Sequence, residues 1–310
     1  MRIAVLGTGR MGAFRAEWLR HRAEVDDVLV GSRDSTRGLP VAEVLDAEPD
    51  AVVISSETPE HPAQVAACAA RRLTMLCEKP VASTLRETRE AIEAAERSGA
   101  TLQVSFQRRF DPECAEARRT TASGALGTLY CVRINSYDYE PSPERFIPTS
   151  GGIFRDLHVH DFDQARWLTG LEVEEVYATG AVRKWERFAR HGDADTAAAL
   201  LTMEGELPVV VTGTRHNPRG YDFRAELLGS DGFAAVGPPP MDNPYRGFLD
   251  RFADAFDAEM VAFLELVRGE RENPCPGAEA LEALRVAVAC DVSRTEGRPV
   301  RVEEVDDGEA

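Results

Sequence analysis

The sequence lacks any run near the ~18 apolar residues that a bilayer span requires. No leader is expected either, because Met1-Arg2 runs straight into Ile3-Ala4-Val5-Leu6 and a glycine loop. Paired cysteines are also missing. Cys68, Cys77, Cys114, Cys131, Cys275 and Cys290 are scattered without a C-x-x-C pair. That argues against structural zinc or a disulfide framework, and reads each as a small buried hydrophobe in a reducing, cytoplasmic setting. Net positive charge is absent: 53 acidic against 36 basic side chains leave −17. Nucleic acid and anionic membrane surfaces demand a basic face, so neither is expected as a partner. Internal repeats are absent, and low complexity is confined to Gly237-Pro238-Pro239-Pro240, read as a stiff surface loop.

What remains is an ordinary globular composition, 43% apolar and 29% charged over 310 residues, a length that suits two domains. Ile3–Leu6, Asp27–Val30, Ala51–Ile54, Leu73–Cys77 and Thr101–Phe106 read as buried strands. Helical patterns (Met11–Arg22, Pro62–Arg71, Leu85–Ser98) separate several of them, which predicts βαβ crossovers and a parallel sheet. From Gly127 longer strands follow one another: Thr128–Asn135, Val173–Ala181, Thr196–Met203, Pro208–Thr214 and Tyr221–Leu228. They predict a largely antiparallel sheet, with helices over Asp156–Leu168, Phe248–Arg268 and Ala278–Arg294. The fold class is therefore α/β, with a doubly wound parallel domain over 1–118 and an α+β domain with a large, mostly antiparallel open sheet over 119–310.

Gly7-Thr8-Gly9-Arg10-Met11-Gly12 follows a strand and opens a helix, the setting in which this spacing cradles a dinucleotide pyrophosphate. Where the second strand ends, the acidic residue that would meet an adenosine ribose is displaced to Asp34, and Ser32-Arg33 takes its place. A hydroxyl beside a guanidinium suits a 2′-phosphate, which leans the reading towards NADP, with NAD and a solvated Arg33 as the alternative. Lys79, in Glu78-Lys79-Pro80 at a strand end, is a candidate for proton transfer or an exposed turn. Asp156 and His160, four apart on a helix, and Asp163, three further on, are expected on one face. Two carboxylates around an imidazole suit hydroxyl binding and proton relay. They supply too few ligands for a metal, so none is expected. His158 points elsewhere and reads as structural.

Taken in order, the glycine loop, Thr58-Pro59-Glu60-His61, Cys77-Glu78-Lys79-Pro80-Val81-Ala82 and the G-G-x-x-x-D-x-x-x-H-D-x-D segment from Gly151 resemble the Gfo/Idh/MocA oxidoreductases. Within that family the look is nearest to inositol 2-dehydrogenases. The resemblance implies a Rossmann domain followed by a domain whose open sheet covers the active site and mediates oligomer contacts, hence a homo-oligomer (dimer or tetramer). It implies hydride transfer between a ring hydroxyl of a small polyol or sugar and nicotinamide. His160 would be the acid/base, with Lys79 on the reacting oxygen and Asp156 orienting them. Asp163, Tyr221 and Arg109 would hold substrate hydroxyls, and Arg10, Met11, Ser55, His61 and Glu78 would join the glycines, Ser32 and Arg33 around the cofactor. Pro218-Arg219 stands where inositol dehydrogenases commonly carry an aromatic, which leaves open reduction of another keto-sugar. A silent dinucleotide sensor is the third reading, and retention of Lys79, Asp156 and His160 together argues against it.

Overall fold

The computed structural model describes residues 1–239 and 243–305; Pro240 of the proline-rich stretch lies outside them. The chain divides into two compact units, 1–106 with 259–281 and 107–258 with 282–310. The sequence reading set its boundary after residue 118.

In the first unit β1 (Arg2–Leu6), α1 (Arg10–Arg20), β2 (Asp27–Gly31), α2 (Val41–Asp46), β3 (Ala51–Ile54), α3 (His61–Ala69), β4 (Thr74–Glu78), α4 (Leu85–Ser98) and β5 (Leu102–Ser105) alternate. All five strands are parallel, in the order β2-β1-β3-β4-β5. Both faces of such a sheet are covered, which explains why β3 and β5 are buried at every position. Ile3, Val5, Ala51, Val53 and Leu76 form the core with Ala16 and Leu19 of α1. Met260, Phe263 and Leu264 of the returning segment complete it, spaced as one helical face.

The second unit begins with α5 (Pro112–Ala122), β6 (Leu129–Tyr137) and the short α6 (Ile147–Ser150). A π-helical turn, Phe154–His158, then runs into α7 (Val159–Thr169), which ends on Gly170 at φ 72°, a left-handed cap that glycine adopts without strain. β7 (Val173–Ala181), the short α8 (Glu186–Ala189), β8 (Thr196–Met203), β9 (Leu207–Thr214), β10 (Asp222–Gly229) and β11 (Phe233–Val236) follow. The rest of the chain is α9 (Phe248–Arg251), α10 (Ala253–Val267), α11 (Gly277–Glu296) and β12 (Val300–Arg301), of which residues 259–281 in α10 and α11 belong to the first unit. Among the described residues seven strands form one sheet, β11-β10-β6-β9-β8-β7-β12. It is antiparallel except where β6 meets β9. Alternation along β8 and β9 puts Ala197, Ala199, Leu201, Val209 and Val211 on the buried face, and α7 packs on β6 and α5.

Candidate active site

In the first unit the strand order reverses between β1 and β3, and ligands of open α/β sheets bind at such switch points, beyond the strands' carboxyl ends. The glycine loop sits there. Gly7 takes φ 110°, and a Cβ on it would lie 2.4 Å from the Ser55 carbonyl oxygen; a Cβ on Gly12 would lie 2.0 Å from the Gly7 oxygen. These two glycines are required by the protein itself. At Gly9 a Cβ would meet nothing within 4 Å, so the space over Gly9 is open to a ligand. The N-terminus of α1 has no capping side chain and no acidic residue in its first turn, whereas Thr84 caps α4 and Asp111 caps α5. Unsatisfied N–H groups at a positive helix end suit an anionic pyrophosphate. Exposed Arg10 and half-buried Met11 begin that helix, and Ser55, buried at the end of β3, borders the loop.

Ser32 closes on the loop, its hydroxyl 3.3 Å from that of Thr8. Arg33 turns elsewhere: its guanidinium is 2.9 Å from Glu57 and 2.6 Å from Glu60. Two carboxylates already on Arg33 oppose a 2′-phosphate, so the lean towards NADP gains no support from this geometry. His61 lies with Nδ1 2.9 Å from the Pro80 carbonyl and Nε2 3.1 Å from that of Ser56. Burial pushes its pKa down against those carbonyls. It clips the start of α3 to the end of β4, and its ring is spent on backbone.

Glu78 accepts from Arg15 at 2.7 Å. Lys79 follows, half-buried, before a cis bond to Pro80. It is one of only two lysines in the chain, with Lys184. Arg15 is buried and also donates to Ser105 and Glu259. The sequence reading missed it, although an arginine among Gly12, Ala16 and Leu19 on the buried stripe of α1 was a visible anomaly.

In the second unit, Arg155, Asp156 and His160 are half-buried and every other residue of Ile153–Arg166 is buried. Arg155 pairs with Asp291, and Asp156 and His160 are the carboxylate and imidazole that reach the surface of this helix. Asp156 accepts from buried Arg215 at 2.7 Å, with Asp138 at 3.6 Å from the same guanidinium. Burial works against the Arg215 charge, and Asp156 and Asp138 outweigh it, so its pKa rises. Arg215 carried no local signal, because its partner is contributed by a distant segment.

Asp163 is fully buried and takes a forked pair of bonds from Arg109, the closest at 2.6 Å. The two form a buried ion pair. Tyr221 is also buried; Arg108 donates to its hydroxyl at 3.4 Å and its ring lies edge-on to Phe252. His158 is structural, as read: Nδ1 is 2.7 Å from Asp161, which also accepts from Arg108 and Ser136, each at 2.5 Å. Burial would raise the Asp161 pKa, but Arg108, His158 and Ser136 hold it below the ordinary range. A Cβ at Gly213 would lie 2.3 Å from the His158 ring, so that glycine lets β9 pass the imidazole. Among the described residues no group of three or more His, Cys, Asp or Glu is placed to hold a metal, and no helix is long and apolar enough to cross a membrane.

Comparison with known proteins finds relatives that match both halves of the chain. Residues 1–106 match the model of an oxidoreductase family with an NAD-binding Rossmann fold, and residues 114–235 match the GFO/IDH/MocA C-terminal domain. A myo-inositol dehydrogenase of Streptomyces leeuwenhoekii is 36% identical, covering 96% of this chain and 98% of its own. The scyllo-inositol 2-dehydrogenase (NAD(+)) of Bacillus subtilis (strain 168) is 30% identical over 98% of this chain and 96% of its own. The crystal structure of a myo-inositol dehydrogenase from Corynebacterium glutamicum superposes with a TM-score of 0.87 at 29% identity, covering 97% of this chain and 98% of that one. A parallel sheet with an uncapped glycine-loop helix, the Glu78-Lys79-Pro80 strand end and the Asp156/His160 helix thus occur together in a chain that belongs to the Gfo/Idh/MocA family of NAD(P)-binding, inositol-dehydrogenase-like oxidoreductases.

Proposed function

We propose that the protein oxidises a ring hydroxyl of an inositol or a related cyclic polyol, reversibly, with NAD as hydride acceptor. The observation that carries this reading is the exposure pattern of Ile153–Arg166, where a carboxylate and an imidazole four residues apart, Asp156 and His160, reach the surface of an otherwise buried helix. The names of the relatives point the same way. Bound nicotinamide supplies the acceptor for the hydride that leaves the carbinol carbon. The protein supplies the proton chemistry. His160 takes the hydroxyl proton as the carbonyl forms and returns it in the reverse direction. Lys79 hydrogen-bonds the reacting oxygen and stabilises its developing negative charge. Asp156, fixed by Arg215, orients the imidazole. Gly7, Gly9 and Gly12 with the start of α1 hold the pyrophosphate, and Ser55 borders them. NAD is favoured over NADP because Glu57 and Glu60 occupy Arg33 and add negative charge where a 2′-phosphate would sit. The same reading includes self-association through the outer face of the seven-stranded sheet.

The test is a panel of inositols and aldoses scored by reduced-cofactor absorbance with each nucleotide. Turnover of at least one inositol with NAD is expected, and none with any cyclic polyol would refute the proposal.

A further inference from the structure

Arg15, Glu78, Ser105 and Glu259 form a cluster inside the first unit that the proposed chemistry does not use. Arg15 and Glu259 are fully buried, and Glu78 is 15% exposed. One guanidinium lies 2.7 Å from Glu78 and 2.8 Å from Glu259. The Ser105 hydroxyl accepts from Arg15 at 2.7 Å and donates to Glu259 at 3.1 Å. Arg15 also reaches the Met260 sulfur at 2.9 Å. Two carboxylates against one guanidinium leave an uncompensated negative charge in a dry site, which a bound proton removes. Oε1 of Glu259 has no hydrogen-bond partner among the described residues, so it is the oxygen free to carry that proton.

The cluster ends at Glu78, whose backbone leads directly into Lys79. Glu78 is the last residue of β4, so fixing Glu78 fixes the backbone from which Lys79 departs. We propose that Arg15, Glu78 and Glu259 are positioning residues for Lys79, and that their grip changes with the proton on Glu259. With Glu259 neutral, Glu78 is the one ionised carboxylate of the cluster on Arg15; with Glu259 ionised, the guanidinium is shared between two and Glu78 is held less firmly. The charged groups facing Glu259 are Arg15 from α1 and Glu78 from β4, and β5 contributes only the Ser105 hydroxyl. Of the other titratable groups around Glu78, burial keeps Cys77 neutral by raising its pKa and His61 neutral by lowering its own. Burial, against the pull of Arg15, raises the Glu259 pKa to about 7, within the working range of an enzyme.

This inference rests on the proposed role of Lys79, but its test does not need turnover. The chain has two lysines, so an amine-reactive acylating reagent followed by peptide mass spectrometry reads Lys79, with Lys184 as internal control. Wild type and Glu259→Gln are labelled from pH 6 to 9. The Lys79/Lys184 rate ratio is expected to agree at pH 6 and to diverge at least two-fold by pH 8.5. Glu78→Gln, which leaves Arg15 one carboxylate, should abolish the pH-dependent step. Identical ratios for wild type and Glu259→Gln across the range, with unchanged circular dichroism, would overturn the proposal. In parallel, the kcat ratio of Glu259→Gln to wild type should rise across pH 6–8.5, with KM for NAD within two-fold. If no polyol turns over, the substrate reading falls while the labelling still decides this one.

Discussion

Asp156 and Asp163 lie on one stretch of helix, yet only the first reaches the surface. Arg215 holds Asp156 at the surface, and Arg109 seals Asp163 inside. Helical spacing alone put both on one face; the π-helical turn at Phe154–His158 and a long-range arginine were invisible to it. What spacing did convey was that Asp156 and His160 reach the surface together, because an imidazole and a carboxylate four apart are unusual on a core-facing helix. Two outcomes follow for single residues. His160→Ala should lower kcat/KM by about 10²–10⁴, the usual contribution of a general base, with the dissociation constant for NADH unchanged by fluorescence titration. Arg215→Met should lower kcat by roughly ten-fold or more through a mispositioned Asp156, again with NADH affinity unchanged. Glu57→Gln with Glu60→Gln should free Arg33 and tighten NADPH binding by about ten-fold, on the order of one charge-assisted hydrogen bond. An unchanged NADPH affinity would remove Arg33 from the account of cofactor choice.

Among the elements, those with a strong internal period were readable and those defined by neighbours were not. β3, β7, β8 and α4 occupy the spans that pattern alone assigns. The short β11 and β12 exist because β10 and β7 offer them an edge, and four or two residues carry no periodic signal. The helix expected over Phe248–Arg268 breaks at Phe252, where φ −112° and ψ 26° leave the helical region. The glycine loop permits a sharper test. Gly9→Ala places a methyl in open space at φ −71°, which alanine tolerates. It should leave the melting temperature unchanged and weaken NADH binding by ten-fold or more. Gly12→Ala drives a methyl to 2.0 Å from the Gly7 oxygen and should lower both, as read by thermal melting and titration.

For the whole molecule, the alternation of texture near Gly127 announced two kinds of sheet, but not that 259–281 returns to the first unit. Met260, Phe263 and Leu264 are apolar at helical spacing, and spacing does not say which core they enter. That return buries Glu259 and ties folding to pH. Its folded pKa of about 7 exceeds its ordinary 4.5, so the folded state binds the extra proton. Stability is therefore fullest below about pH 4.5 from this group and falls as pH rises to about 7, with a slope of at most about 1.4 kcal/mol per pH unit. Chemical denaturation of wild type and Glu259→Gln across that window should show the fall only in wild type. On the outer face of the larger sheet, Tyr177, Leu200 and Val210 are adjacent across β7, β8 and β9, and Leu228 faces Phe233. All five are at least 40% exposed, two apolar clusters on either side of the Arg133–Glu226 ion pair, of the kind that subunit contacts cover. Light scattering should give an integral multiple of 34.0 kDa, reduced by Leu200→Glu with Val210→Glu; a monomeric wild type would contradict self-association.

The central claim is that His160 moves the proton while NAD takes the hydride from a cyclic polyol. It is tested most directly by the rate of NADH formation with a panel of inositols, wild type beside His160→Ala at equal, saturating NAD. The account predicts turnover of at least one inositol by wild type and a loss of about 10²–10⁴ in the variant. A variant within a few-fold of wild type on every substrate would contradict it.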